Sequence, residues 1–175
     1  IYDITEEEAA DGTMQTVALG NVYGGGDLGQ VNGSSTIVIK NSKVGEAVYG
    51  GGNNANLTGE TSVSLLEKSE TQLVYGGGNN GAIGDLTYVD INDSTITNNV
   101  YGGGNKGEVS GSTEVTVAKS KVTNSIFGGG QAANVNSTTV NVSEETNTKN
   151  IYGGGDQGEV IENTVVNVDN STIEN

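Results

Sequence analysis

An aromatic residue followed by three glycines recurs at Tyr23, Tyr49, Tyr75, Tyr101, Phe127 and Tyr152, at spacings of 26, 26, 26, 26 and 25 residues. A fixed period of this size marks a repeat architecture, and it constrains the fold more than any single residue does. With the first unit written as Asn21 to Glu46, the units cover 21–46, 47–72, 73–98, 99–124, 125–149 and 150–175. Each unit carries an aliphatic residue before the aromatic: Val22, Val48, Val74, Val100, Ile126 and Ile151. A second aliphatic column holds Val31, Leu57, Ile83, Val109, Val135 and Val160. A hydroxyl column stands at Ser35, Thr61, Thr87, Thr113, Thr138 and Thr164, and aliphatics stand two and four places beyond it, as in Val115 and Val117.

Alternation with period two and β-branched residues at the alternate places is the pattern of a half-buried strand, and no helical period competes with it. Strands are expected at the aliphatic-aromatic pair, the second aliphatic column and the Thr-x-Val-x-Val segment. A weaker Ser-x-Val run, as at Ser42 to Val44, adds a fourth; it breaks down at Glu70 and Asn147, which suggests a less strictly buried corner. The 25-residue unit locates its own deletion. A residue lost within a strand would turn every later side chain to the opposite face. Val135, Thr138, Val140 and Val142 keep their places, so the loss falls in the turn at the column of Gly33, Gly59, Asp85 and Gly111.

A unit of this size is too small for a propeller blade and lacks the leucine pattern of leucine-rich repeats. It fits one rung of an all-β, single-stranded parallel β-helix, a β-solenoid of about six rungs. One rung buries too little apolar surface to offset the ordering of its backbone, so stacking must supply the rest. Six rungs about 4.8 Å apart would make a rod about 29 Å tall. Residues 1–20 fall outside the repeat; the acidic run Glu6-Glu7-Glu8 and Asp11-Gly12 are expected in a cap or partial rung. The chain lacks an initiator Met and ends where another repeat would begin, so a longer parent is expected.

The composition narrows function by exclusion. The 175 residues include no Cys and no His, which removes the usual nucleophile-base pairs and zinc sites. A net charge of −15 with only 7 Lys or Arg argues against nucleic acid as a partner. No run approaches the length of a membrane span, so no membrane insertion is expected. Catalysis by acidic clusters fares no better: Glu67 and Asp93 share a column and Asp90 lies near, but no column is consistently acidic. An ice-binding face would need ranks of Thr, whereas the outward places hold Thr36, Ser62, Tyr88, Glu114, Thr139 and Val165.

The triple glycines lack the Lys and Ser/Thr of a phosphate loop and precede no helix. They are expected at bends where stacked backbones approach closely or take positive φ. Asp27, Asn53, Asn79, Asn105, Gln131 and Asp156 form a further column. Four uncharged amides there favour a hydrogen-bonded ladder, and no cofactor is expected; calcium bound by this column is the lesser reading. The aromatics Tyr23, Tyr49, Tyr75, Tyr101, Phe127 and Tyr152 adjoin inward aliphatics and so point away from them. An outward stripe beside a glycine strip makes these residues the candidate ligand-binding site, suited to sugar rings or a protein; the alternative places them in the core.

Units such as Val100-Tyr-Gly-Gly-Gly-Asn-Lys-Gly-Glu-Val109 and Ile151-Tyr-Gly-Gly-Gly-Asp-Gln-Gly-Glu-Val160 resemble the Tyr-Gly-Gly-Gly repeat regions of large surface proteins of gut bacteria. They resemble more distantly the β-helical stalks of adhesins and autotransporter passengers. The resemblance covers residues 21–175. It implies an extracellular, cell-surface parent with a role in adhesion or display, a surface glycan or protein as partner, and no catalytic residue. A rigid stalk is the first expectation for function, and a carbohydrate-binding β-helix using the aromatic stripe is the second.

Overall fold

A computed structural model describes residues 4–8, 14–18 and 20–174, with side chains described from Gly20 onward. All regular structure in it is strand. The expected rungs stack in parallel. Strands Ser35–Lys40, Thr61–Leu66, Thr87–Asn92, Thr113–Ala118, Thr138–Ser143 and Thr164–Val168 form one six-stranded sheet. Its register sets Thr87 beside Thr113 and Val89 beside Val115, so side chains of one kind stack from rung to rung. The Val31 column needs only single-residue bridges, running from Val31 through Leu57, Ile83, Val109 and Val135 to Val160. A second sheet holds the aliphatic-aromatic pairs and the Ser-x-Val segments. These two columns fuse where Lys121–Phe127 and Asn147–Tyr152 each run through both.

The shortened rung places its deletion in the expected turn. Val109 pairs with Val135, 26 residues on, whereas Thr113 pairs with Thr138, 25 residues on. The loss between them turns no later side chain over. Residues of the N-terminal stretch form an antiparallel hairpin, β1 (Ile4–Glu8) and β2 (Met14–Ala18). β2 adds a parallel strand to Ser42–Val44, so it extends one column by a rung. Glu6-Glu7-Glu8 lie in β1, while Asp11-Gly12 lie outside the described residues.

The main core lies between the six-stranded sheet, the Ser-x-Val column and the aliphatic column beside the aromatics. Ile37, Val63, Val89, Val115 and Val140 meet Val48, Val74, Val100 and Ile126 there. Leu57, Ile83, Val109 and Val135 make a separate cluster behind the glycine blocks. The hydroxyl column between them is hydrogen-bonded from Ser35 to Thr138. The Oγ atoms of Ser35, Thr61, Thr87, Thr113 and Thr138 each donate to the carbonyl of the first block glycine fifteen residues on, at 2.5 to 2.6 Å. A hydrogen-bonded hydroxyl can be buried at little cost, and an apolar residue here would orphan that carbonyl.

The glycines are required by close approach and not by positive φ. Among the described glycines only Gly20 and Gly33 have positive φ, and neither belongs to a block. In the second block, a Cβ on Gly50 would lie 2.1 Å from the Gly76 carbonyl oxygen. One on Gly51 would lie 2.5 Å from Ile83 Cδ1, and one on Gly52 would lie 2.4 Å from the Ala55 carbonyl oxygen. Each glycine therefore faces a different neighbour that leaves no room for a side chain.

The left-handed backbone stands instead at the corner after the six-stranded sheet. Asn41, Glu67, Asp93, Lys119, Glu144 and Asn170 all have φ between 41° and 57°. Two rungs insert a second left-handed residue at this corner, Lys68 (φ 64°) and Glu145 (φ 63°). The insertion shifts the next strand by one place, and this corrects the reading of a loosely buried corner. Thr71 and Thr148 take the places that Val44, Ile96 and Val122 hold in other rungs, and both are fully buried. The apparent break at Glu70 and Asn147 is thus a slip of register, with threonine standing in for its isostere valine.

Candidate functional site

The aromatic column points away from the main core, as the alternation requires, but it is not an open stripe. Tyr49, Tyr75, Tyr101 and Phe127 are buried in a cluster of their own with Ala47, and Tyr23 and Leu73 pack against it. Their rings form one continuous stack from Tyr23 to Tyr152. Successive centroids lie 4.9, 4.7, 4.9, 5.0 and 4.9 Å apart, and the interplanar angles run from 3° to 13°. In-register rungs about 4.8 Å apart impose this spacing, so each ring covers its neighbours' faces. Only Tyr152, in the last rung, is 47 % exposed. The expectation of a solvent-facing stripe is therefore corrected for the four inner rings.

Polar neighbours close the outer rim of the stack. The Tyr75 hydroxyl donates to Gln131 Oε1 at 2.6 Å, and Asn99 Nδ2 donates to the Tyr101 hydroxyl at 3.1 Å. Burial pushes the Tyr49 hydroxyl pKa up to about 12, with neighbouring Tyr23 and Glu46 adding to the shift. Burial also raises Tyr75 and Tyr101, and the Asp156 carboxylate adds to both. At neutral pH these phenols stay uncharged, and their faces are occupied by one another.

The amide column forms the ladder expected of it. Asn53 Nδ2 donates to Asp27 Oδ1 at 2.7 Å, Asn79 to Asn53 at 2.8 Å, and Asn105 to Asn79 at 2.7 Å. Each middle amide donates to one neighbour and accepts from the other, which no carboxylate could do. Gln131, one methylene longer, turns to the tyrosine stack instead. Among the described residues, no group of three or more acidic side chains stands close enough to hold a metal ion.

Glu67 and Asp93 do share a column, the left-handed corner, but a lysine reaches across the rungs on either side of them. Lys40 Nζ lies 3.3 Å from Glu67, and Lys119 Nζ lies 2.9 Å from Glu144. On the outer face of the six-stranded sheet, Thr36, Ser62, Tyr88, Glu114, Thr139 and Val165 stand in one rank with no repeating chemistry.

Sequence reasoning missed one opening, an open notch of about 330 Å³ at the left-handed corner, bounded by Lys68 and Glu145. Its signal was present in the doubled corners Glu67-Lys68 and Glu144-Glu145, but the unit lengths hide them. In both rungs the insertion is taken back before the next block: one residue fewer lies between Glu70 and Leu73 in the second rung and between Thr148 and Asn150 in the fifth.

Taken together, the stacked columns define the chain as a parallel β-solenoid. No protein-family model, curated protein or solved structure matches it.

Proposed function

We infer that this chain is a non-enzymatic structural and adhesive segment of an extracellular, cell-surface protein, a rigid rod that spaces or displays what it is joined to. One observation carries the reading: the columns keep their register through every rung, from Val22 to Ile151 along the aliphatics and from Tyr23 to Tyr152 along the rings. A stack of this kind has no hinge, because each rung is fixed to the next by backbone bonds, side-chain ladders and ring contacts at once. The two-residue corners and the shortened turn lie outside the ladders, and the register shift within the pairing of Lys121–Phe127 with Asn147–Tyr152 is made good before Ile126 meets Ile151, so the columns continue past each irregularity. Excess negative charge keeps such a surface soluble. Burial of the inner rings speaks against sugar stacking on the aromatic column, so the partner, a surface glycan or protein, is sought elsewhere on the rod.

The absence of cysteine makes the rod easy to measure. Spin labels on Thr36→Cys and Val165→Cys, five rungs apart in one outward rank, should give a single narrow distance near the ~24 Å rung separation. A broad or bimodal distribution would overturn the rigid rod. Antibodies against the purified chain should label intact source cells, and labelling confined to broken cells would overturn the surface placement.

A further inference from the structure

The two ends of the rod are finished differently. At the first rung, β2 extends the Ser-x-Val column by one strand and β1 then pairs with it antiparallel, so the parallel ladder stops there. At the last rung nothing among the described residues closes the ladders. Thr164–Val168 and Thr172–Ile173 are each paired on one side alone, and Tyr152, Val166, Val168 and Ile173 are exposed.

Three features of this end face have no use within the chain. The first is Gly154. A Cβ on the middle glycine of each earlier block would lie 2.6 to 2.9 Å from backbone of the third glycine of the next block, as Gly25 does to Gly52 and Gly129 to Gly155. On Gly154 it would meet nothing within 4 Å, and Gly154 does not have positive φ, so neither space nor torsion within the chain asks for glycine there. The second is the Thr164 hydroxyl. Its counterparts each donate to the first glycine carbonyl of the next block, as Thr138 does to Gly153, whereas Thr164 has no such carbonyl above it. The third is a pair of backbone amides. Gly128 donates to the Tyr152 carbonyl at 2.8 Å and Gly129 to the Gly154 carbonyl at 3.1 Å, as their counterparts do in each earlier block, but Gly153 and Gly154 have no rung to donate to.

We propose that this end face is a docking surface for a further unit of the same repeat, added as a seventh rung by strand pairing. The occupant follows from continuity: the chain builds this interface five times, always with an aromatic-Gly-Gly-Gly unit on the open side. The first rung narrows it further, because it presents the same Tyr-Gly-Gly-Gly-Asp face as the last, with Asp27 where Asp156 stands. The unit seated on the first rung is 47–72. Its Tyr49 stacks on Tyr23 at 4.9 Å, its Asn53 Nδ2 donates to Asp27 at 2.7 Å, and its Gly50 carbonyl accepts from Ser35. The same three groups would meet Tyr152, Asp156 and Thr164 on the last rung. As in other additions to an exposed sheet edge, backbone pairing supplies affinity and the side-chain columns supply selection. A second copy of the chain fits less well, because its first rung carries the antiparallel hairpin. The assignment rests on the stacking and not on where the rod is displayed.

The test appends a second copy of residues 47–72 directly after Asn175 and follows amide exchange at Gly153. Exchange there should slow by at least about a hundredfold, since a free amide becomes part of a ladder. An appended unit of the same composition in scrambled order should leave it unchanged. Gly154→Ala should fold as the parent does in the unextended chain, yet in the extended chain it should cost at least about tenfold of that protection, because its Cβ enters the backbone of the new rung. Unchanged exchange, equal slowing by the scrambled unit, or protection indifferent to Gly154→Ala would each overturn the docking surface. The unextended chain should sediment as a monomer; assembly that Gly154→Ala disperses would seat a second copy on the face and overturn the repeat unit as its occupant. The label distance keeps this inference apart from the rod: a narrow distance without protection at Gly153 removes the docking surface and leaves the rod, whereas a broad distance removes the rod itself.

Discussion

The four inner rungs and the last rung share one sequence pattern and differ in almost every measure of burial. Val115 in the fourth rung is 0 % exposed and its counterpart Val166 in the last is 42 % exposed; Tyr101 is 1 % exposed and Tyr152 is 47 %. Residue type, strand and register are the same on both sides of the comparison. The difference is a neighbouring rung above. Burial in this fold belongs to the interface between rungs, so stability is a sum of nearest-neighbour terms and not a property of one central core. Matched substitutions in an inner rung and in the last rung read those terms directly.

The largest contrast lies at the middle glycine of each block. A Cβ on Gly103 would lie 2.8 Å from both the Gly130 nitrogen and Val135 Cγ1, whereas one on Gly154 would meet nothing within 4 Å. Gly103→Ala is expected to destabilise the chain by about 3 kcal/mol, since backbone and a packed side chain must both move. Gly154→Ala should instead stabilise it by about 0.5 kcal/mol through the lower entropy of the unfolded chain. Urea denaturation of the two variants gives opposite signs if the close approach is what selects glycine. Equal losses at both sites would return the explanation to backbone conformation.

A smaller contrast is expected along the valine column. Val117 is fully buried and Val168 is 49 % exposed in the same register place. Val117→Ala removes apolar contact on both sides and leaves a cavity between rungs, at a loss of about 2 kcal/mol. Val168→Ala has one covered side and should lose less than about 1 kcal/mol in the same denaturation experiment. A similar loss at both positions would show that the last rung is as tightly held as the inner ones.

The columns were legible because a period of 26 aligns chemically similar residues, and chemistry that repeats in register has to stack. The deletion before Thr138 was legible for the same reason: the pattern resumes in phase after it. The burial of Tyr49, Tyr75 and Tyr101 was not. Alternation shows which way a side chain points, but the polar rim over the rings comes from Asn99, two residues before Tyr101, and from Gln131, two rungs beyond Tyr75, a contact that no single unit displays. The corners depart from expectation in a related way. Positive φ is expected at glycine, yet besides Gly20 and Gly33 it falls on Asn41, Glu67, Lys68, Asp93, Lys119, Glu144, Glu145 and Asn170, all of which carry a Cβ. Within the inner blocks glycine is kept for places where space, not torsion, is short, whereas Gly20 and Gly33 have positive φ and open space around them. Because Lys68 and Glu145 are compensated elsewhere in their rungs, the notch they create leaves no trace in the spacing of the blocks.

The smallest effect at neutral pH concerns the stacked phenols, and it becomes large only in alkali. Burial first, then Tyr23 and Glu46, raises the Tyr49 hydroxyl to about 12; burial also raises Tyr75 and Tyr101, with Asp156 adding and the Asn99 hydrogen bond opposing at Tyr101. The ordinary value, which the unfolded chain shares, is about 10. A folded-state pKa above the unfolded one means that the fold favours the neutral phenol. That contribution is complete below about pH 10 and is lost as pH rises through the folded values. Tyr49→Phe tests this with little disturbance, because Phe127 already occupies the same column between two stacked rings. At pH 7 the variant should match the parent within about 0.5 kcal/mol. Above pH 10 it should outlast the parent, with circular dichroism and tyrosinate absorbance changing together in both. If Tyr49 ionised near pH 10 with the β-sheet signal intact, the stack would be open to water, and the inner rungs would differ from the last one less than their burial indicates.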